Sequence, residues 1–84
     1  MILYHATPKE NVESILAEGL RPPRGHEIVY LSHEPDSWKH EGDAVLRVDM
    51  TGLEGTLTNT GEELDEELYW SSIPPERISL MGGS

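Results

Sequence analysis

The chain has 84 residues, with 16 acidic against 6 basic side chains, a formal net charge of -10 and no cysteine. That length gives one domain with a modest core, and the charge repels a phosphate backbone, which argues against general nucleic-acid binding. The missing thiols remove disulfides, thiolate nucleophiles and thiolate metal sites. No run approaches the roughly 20 apolar residues of a membrane span, and no secretory leader pattern is present, so a cytoplasmic protein with no membrane contact is expected. Residues 82–84, Gly-Gly-Ser, read as a linker or tag remnant, which leaves one domain over 1–81.

Ile2, Leu3 and Tyr4 open the chain as an apolar run suited to a first strand. Thr7, Pro8 and Glu10 then form a helix start signal: a cap, a proline at the first helical position and a capping-box acid. Val12, Ile15, Leu16 and Leu20 follow at helical spacing and Gly19 supplies a stop, so the pattern predicts a helix over 8–18. "RPPRG" (21–25) is a proline-stiffened loop, and "EIVYLS" (27–32) is a β-branched and aromatic strand. One or two helical turns are predicted from near Pro35 to Gly42, and "AVLRVDM" (44–50) alternates as a strand. "TGLEGTLTNTG" is turn-rich, with a short strand at "TLTNT". "LYWSSI" and "ISLM" read as two last strands joined by the turn "PPER". The order β-α-β-α-β-β-β gives an α+β fold, with one main helix and one short one.

His26, His33 and His40 recur at intervals of seven, each followed by Glu, which invites a metal site. Strand geometry argues against it. Seven extended residues span about 23 Å, and an odd spacing sends His26 and His33 to opposite faces. Two nitrogens on one zinc lie only about 4 Å apart. These residues therefore read as polar flanks of a strand, and no metal is expected. The run "EELDEE" (62–67), five acids in six positions, reads by itself as a solvated face. A tyrosine inside an apolar strand, as Tyr30 is, ordinarily belongs to the core. Trp70 is expected to face away from Glu67 and pack inside.

Three ordered elements, "LYHAT", "VYLS" and "ELYWSSIPPERISL", together resemble the ADP-ribosyltransferase fold of the diphtheria-toxin and poly(ADP-ribose) polymerase type, in minimal form. In that family a His-Gly-Ser/Thr tripeptide ends the first strand and a helix closes on Ile-Leu-x-x-Gly-Leu. A strand carrying Tyr follows, and a Glu begins a late strand. The matching elements here are "YHAT", "SILAEGL", "VYLS" and Glu67 with "LYWSSI". They span nearly the whole chain in family order. Ala6 stands where the family has Gly, which keeps both backbone groups but narrows the pocket.

The resemblance implies a small split β-sheet and NAD as substrate, with cleavage of the nicotinamide–ribose bond and transfer of ADP-ribose to an acceptor, protein rather than nucleic acid. It implies Glu67 as the catalytic carboxylate beside a ribose that develops positive charge. It also implies His5 on the adenosine ribose, the Ala6 backbone on the carboxamide and Tyr30 stacked on the cationic ring. Trp38 is a candidate second aromatic wall. Arg21 and Arg24 could grip the pyrophosphate or pair with surface acids. Two alternatives stay open: a non-catalytic NAD- or ADP-ribose-binding or interaction module on the same fold, and a relative of the RNA 2′-phosphotransferases, whose chemistry needs more basic residues than this chain offers.

Overall fold

The computed structural model describes residues 1–22, 28–53, 55, 57–59 and 65–81. Its strands are β1 (Ile2–Pro8), β2 (Val29–Leu31), β3 (Asp43–Asp49), β4 (Leu57–Asn59), β5 (Glu67–Tyr69) and β6 (Ile78–Leu80). The helix α1 (Val12–Glu18) follows β1 through a 3-10 turn at Lys9–Asn11. Two three-stranded antiparallel sheets result, in the orders β1-β3-β6 and β2-β5-β4. The fold is therefore α+β, with one main helix.

The β1–β3 ladder pairs seven residues, from Ile2 with Asp49 to Pro8 with Asp43. That ladder accounts for the late start of α1. Thr7 and Pro8 pair with Ala44 and Asp43, so Thr7 cannot cap a helix, and the helix begins four residues later than its start signal suggests. The Thr7 hydroxyl instead accepts from Asn11 Nδ2 at 3.4 Å. At the other end Gly19 turns the chain at φ 94°, a conformation that favours glycine. Leu20 and Ile73 then exchange backbone hydrogen bonds of 2.9 and 2.8 Å, which dock the end of the helix segment.

The alternation expected in the third strand is present: Leu46, Val48 and Met50 are fully buried. They join Leu3, Leu20, Val29, Leu31, Tyr69, Ile73 and Ile78 in one core, which both sheets share. Two further expectations fail. The stretch after Pro35 forms successive turns rather than a short helix, because its side chains are drawn into bonds with a distant acid, described below. Trp70 lies just past the end of β5 and is 50% exposed, with its indole N–H donating to Thr58 Oγ1 at 3.2 Å, so it is no core residue. Among the described residues, no helix is long and apolar enough to cross a membrane.

Candidate active-site cleft

Among the described residues one backbone bridge joins the two sheets. Tyr4 of β1 and Ser32, just past β2, exchange two backbone hydrogen bonds of 2.8 Å. Beyond that bridge the strands diverge, and the gap is spanned by a side chain: His5 Nδ1–H donates to the Tyr30 carbonyl at 2.9 Å. The carbonyl can only accept, so the neutral imidazole carries its proton on Nδ1 and presents Nε2 as an acceptor. Burial lowers the His5 pKa, and the bond to Tyr30 raises it by less, so the ring favours its neutral form.

The divergence also determines what Ala6 offers. Backbone groups of every second strand residue point to the same side. Tyr4 directs its N–H and C=O toward β2, so Ala6, two residues on, directs its own pair toward the gap.

A cavity of about 370 Å³ opens at this gap, bordered by His5, Ala6, Tyr30, Trp38, His40 and Glu66, among others. Tyr30 is 47% exposed, as is Trp38, so neither aromatic ring is committed to the core. Tyr30 thus departs from the usual fate of a strand tyrosine. The reason is register: Val29 and Leu31 take the buried face of β2 and leave Tyr30 on the other. A second hollow of about 310 Å³ shares His5 and Tyr30 and is bordered also by Ser14 and Arg21 of the helix side. Arg24 and His26 lie outside the described residues.

The acids that follow residue 64 have three different fates. Asp65 is a hub that sequence reasoning assigned to a solvated face. Its carboxylate accepts from the backbone N–H of His33 at 2.6 Å, from that of Glu34 at 2.8 Å, and from the Ser37 hydroxyl. Its carbonyl accepts from the Trp38 indole at 2.7 Å. Partial burial pushes the Asp65 pKa up, but the bonds from Ser37, His33 and Glu34 together outweigh it and hold the carboxyl below its ordinary value. Asp65 thereby fixes the turns that carry Trp38. Nothing local in the sequence marks it, since its partners lie about thirty residues away.

Glu66 borders the cavity with His5, Tyr30 and Trp38. Glu67 does not border it. It is 7% exposed, and its Oε1 meets His33 Nε2 at 2.8 Å. The histidines of the repeated pairs are thus engaged separately: His33 with Glu67, and His40 on the cavity wall. Among the described residues no group of three His, Asp or Glu side chains is arranged to hold a metal ion.

No protein-family model matches the chain, and no curated protein matches it.

Proposed function

We propose that this chain is a minimal NAD-binding domain of the ADP-ribosyltransferase type, which transfers ADP-ribose to a macromolecular acceptor. One observation carries the reading: His5, Ala6, Tyr30 and Trp38, separated by up to 33 residues in sequence, border one cavity. Its volume of about 370 Å³ suits a nucleoside-sized group. The adjoining hollow with Arg21 offers a place for the remainder of a dinucleotide.

Each wall has a chemical use. The faces of Tyr30 and Trp38 attract a cationic ring. The N–H and C=O of Ala6 complement a carboxamide, which both donates and accepts. Nε2 of His5 accepts from a ribose hydroxyl. In the reaction the C1′–N bond breaks with its electron pair leaving on nicotinamide, which becomes neutral. The ribose carries the positive charge until an acceptor oxygen or nitrogen attacks C1′ and loses its proton to solvent. A carboxylate near C1′ stabilises that cation. Among the described residues the cavity lining contains no Lys or Arg, which favours this chemistry over that of an RNA 2′-phosphotransferase, where a transferred phosphate needs cations.

A binding-only module is the second reading, and the burial of Glu67 against His33 favours it. One experiment separates the two. Wild type is incubated with NAD while free nicotinamide and melting temperature are followed, with Tyr30→Ala as control. A thermal shift with nicotinamide release, both lost in Tyr30→Ala, is the expected result. A shift without release leaves the binding module, and neither effect at millimolar NAD removes both readings.

A further inference from the structure

We propose that Glu66, and not its neighbour Glu67, is the carboxylate that faces the cationic end of the ligand, while His33 and Glu67 form a positioning pair behind it. This rests on the NAD reading above and names the charged group of that same site.

The first argument is register. Glu67 lies opposite Leu31 on β2, and Tyr69 lies opposite Val29. Directly paired residues share a face of the sheet, so Glu67 belongs with Leu31, Val29 and Tyr69, all buried. Tyr30 lies opposite Leu68 and belongs to the other face. Glu66 precedes Glu67 by one residue, and alternation sends it to the side of Tyr30. Its place on the cavity wall agrees with that parity.

The second argument is that Glu67 already has a structural task. A carboxylate this buried costs several kcal/mol unless it is paired, and the 2.8 Å contact with His33 supplies the partner. The His33 backbone is in turn bonded to Asp65 at 2.6 Å. The pair therefore anchors the start of β5 to the loop after β2.

The third argument is delivery. Asp65, one residue before Glu66, accepts bonds from Glu34 and Ser37 through its carboxylate and from the Trp38 indole through its carbonyl. The backbone that presents Glu66 is thus tied to the loop that presents Trp38. A carboxylate held beside two exposed aromatic faces forms a site for a delocalised cation, such as the pyridinium ring and then the ribosyl cation of the cleavage step.

The test compares oxidised NAD, with its cationic ring, against NADH, whose dihydronicotinamide is neutral. Affinities by calorimetry and nicotinamide release are measured for wild type, Glu66→Gln, Glu67→Gln and His33→Gln. Glu66→Gln is expected to weaken oxidised NAD by about tenfold, as loss of one partly buried charge contact does, and to leave NADH affinity unchanged. Release falls by about a hundredfold or more, the usual effect of losing one preorganised group. Glu67→Gln and His33→Gln are expected to lower the melting temperature together and to change both nucleotide affinities by one common factor. If wild type binds oxidised NAD and Glu66→Gln binds it equally well, the inference falls while the NAD reading stands. If Glu67→Gln or His33→Gln alone erases the preference for oxidised NAD, it falls as well. If wild type binds neither nucleotide at millimolar concentration, the NAD reading falls and takes the inference with it. The comparison of NAD with NADH decides the matter even in a protein that binds without turnover.

Discussion

The two sheets divide the labour of this small domain. The β1-β3-β6 sheet is built on a seven-residue ladder and contributes Leu3, Leu46, Val48 and Ile78 to the core. The β2-β5-β4 sheet is held by pairings three residues long, joins its partner through the Tyr4–Ser32 bridge, and carries the Glu67–His33 contact. The first sheet supplies stability in the usual way, through apolar area removed from water. The second is stapled by side chains instead: Asp65 to the loop after β2, and Glu67 to His33. Where the two sheets part, backbone pairing stops and polar side chains tie the walls of the cleft together.

Four perturbations test that division, from the largest expected effect on stability to the smallest. Leu46→Ala strikes the long-ladder sheet at a fully buried position and should cost about 2–5 kcal/mol, a large share of the stability of a domain this size, read as a lower urea midpoint. A smaller loss would mean that the first sheet is not the framework. Gly19→Ala follows. Its Cβ would sit 2.3 Å from the Ile73 carbonyl oxygen, at a positive φ, and should cost about 2 kcal/mol or more by undocking the Leu20–Ile73 pair.

Asp65→Asn comes next and belongs to the cleft side. Its loss should be about 1 kcal/mol, since several of its bonds are solvent-accessible, but Trp38 should loosen. In a Trp70→Phe background, indole fluorescence reports that change directly. The clamp also has a pH signature. Because the folded carboxyl titrates below its ordinary value, its stabilisation is present above about pH 4 and is lost as pH falls through the depressed folded value. Asp65→Asn should flatten that acid limb, and an unchanged limb would assign it to other carboxylates.

His5 has the smallest effect and the opposite origin. Its folded pKa is lowered by burial, so the unfolded chain binds its proton more readily. Stability therefore declines as pH falls through the ordinary histidine value of about 6.5 and levels off below the folded value. His5→Gln should remove that portion of the profile in a urea titration at stepped pH. A profile identical to wild type would show that His5 is not desolvated.

Much of the framework is legible in sequence. The parity of Leu46, Val48 and Met50, the late strand at Ile78 and the stop at Gly19 all follow from local pattern. The family resemblance named His5, Tyr30 and Glu67: His5 and Tyr30 border the cleft, whereas Glu67 does not and Glu66, read as part of a solvated face, does. Local signals failed where a distant partner outweighed them. Thr7 carried a helix-cap signature, but a ladder bond to the strand some forty residues on decided its conformation. The residues after Pro35 carried helix-start signals, but Asp65 draws Ser37 and Trp38 into turns. Trp70 looked like a core residue, and the end of β5 left it outside.

The adjacent acids mark the limit of what sequence determines here. Sequence alone placed a carboxylate at the start of a late strand, downstream of a strand tyrosine. The resemblance named Glu67 and left Glu66 in the solvated run, yet a shift of one residue in register exchanges the two faces of a strand. That register is set by Leu31 lying opposite Glu67, a pairing across 36 positions of chain. Only the tertiary structure decided which acid meets the core and which meets the cleft, since the choice depends on where the apolar face of β2 is buried.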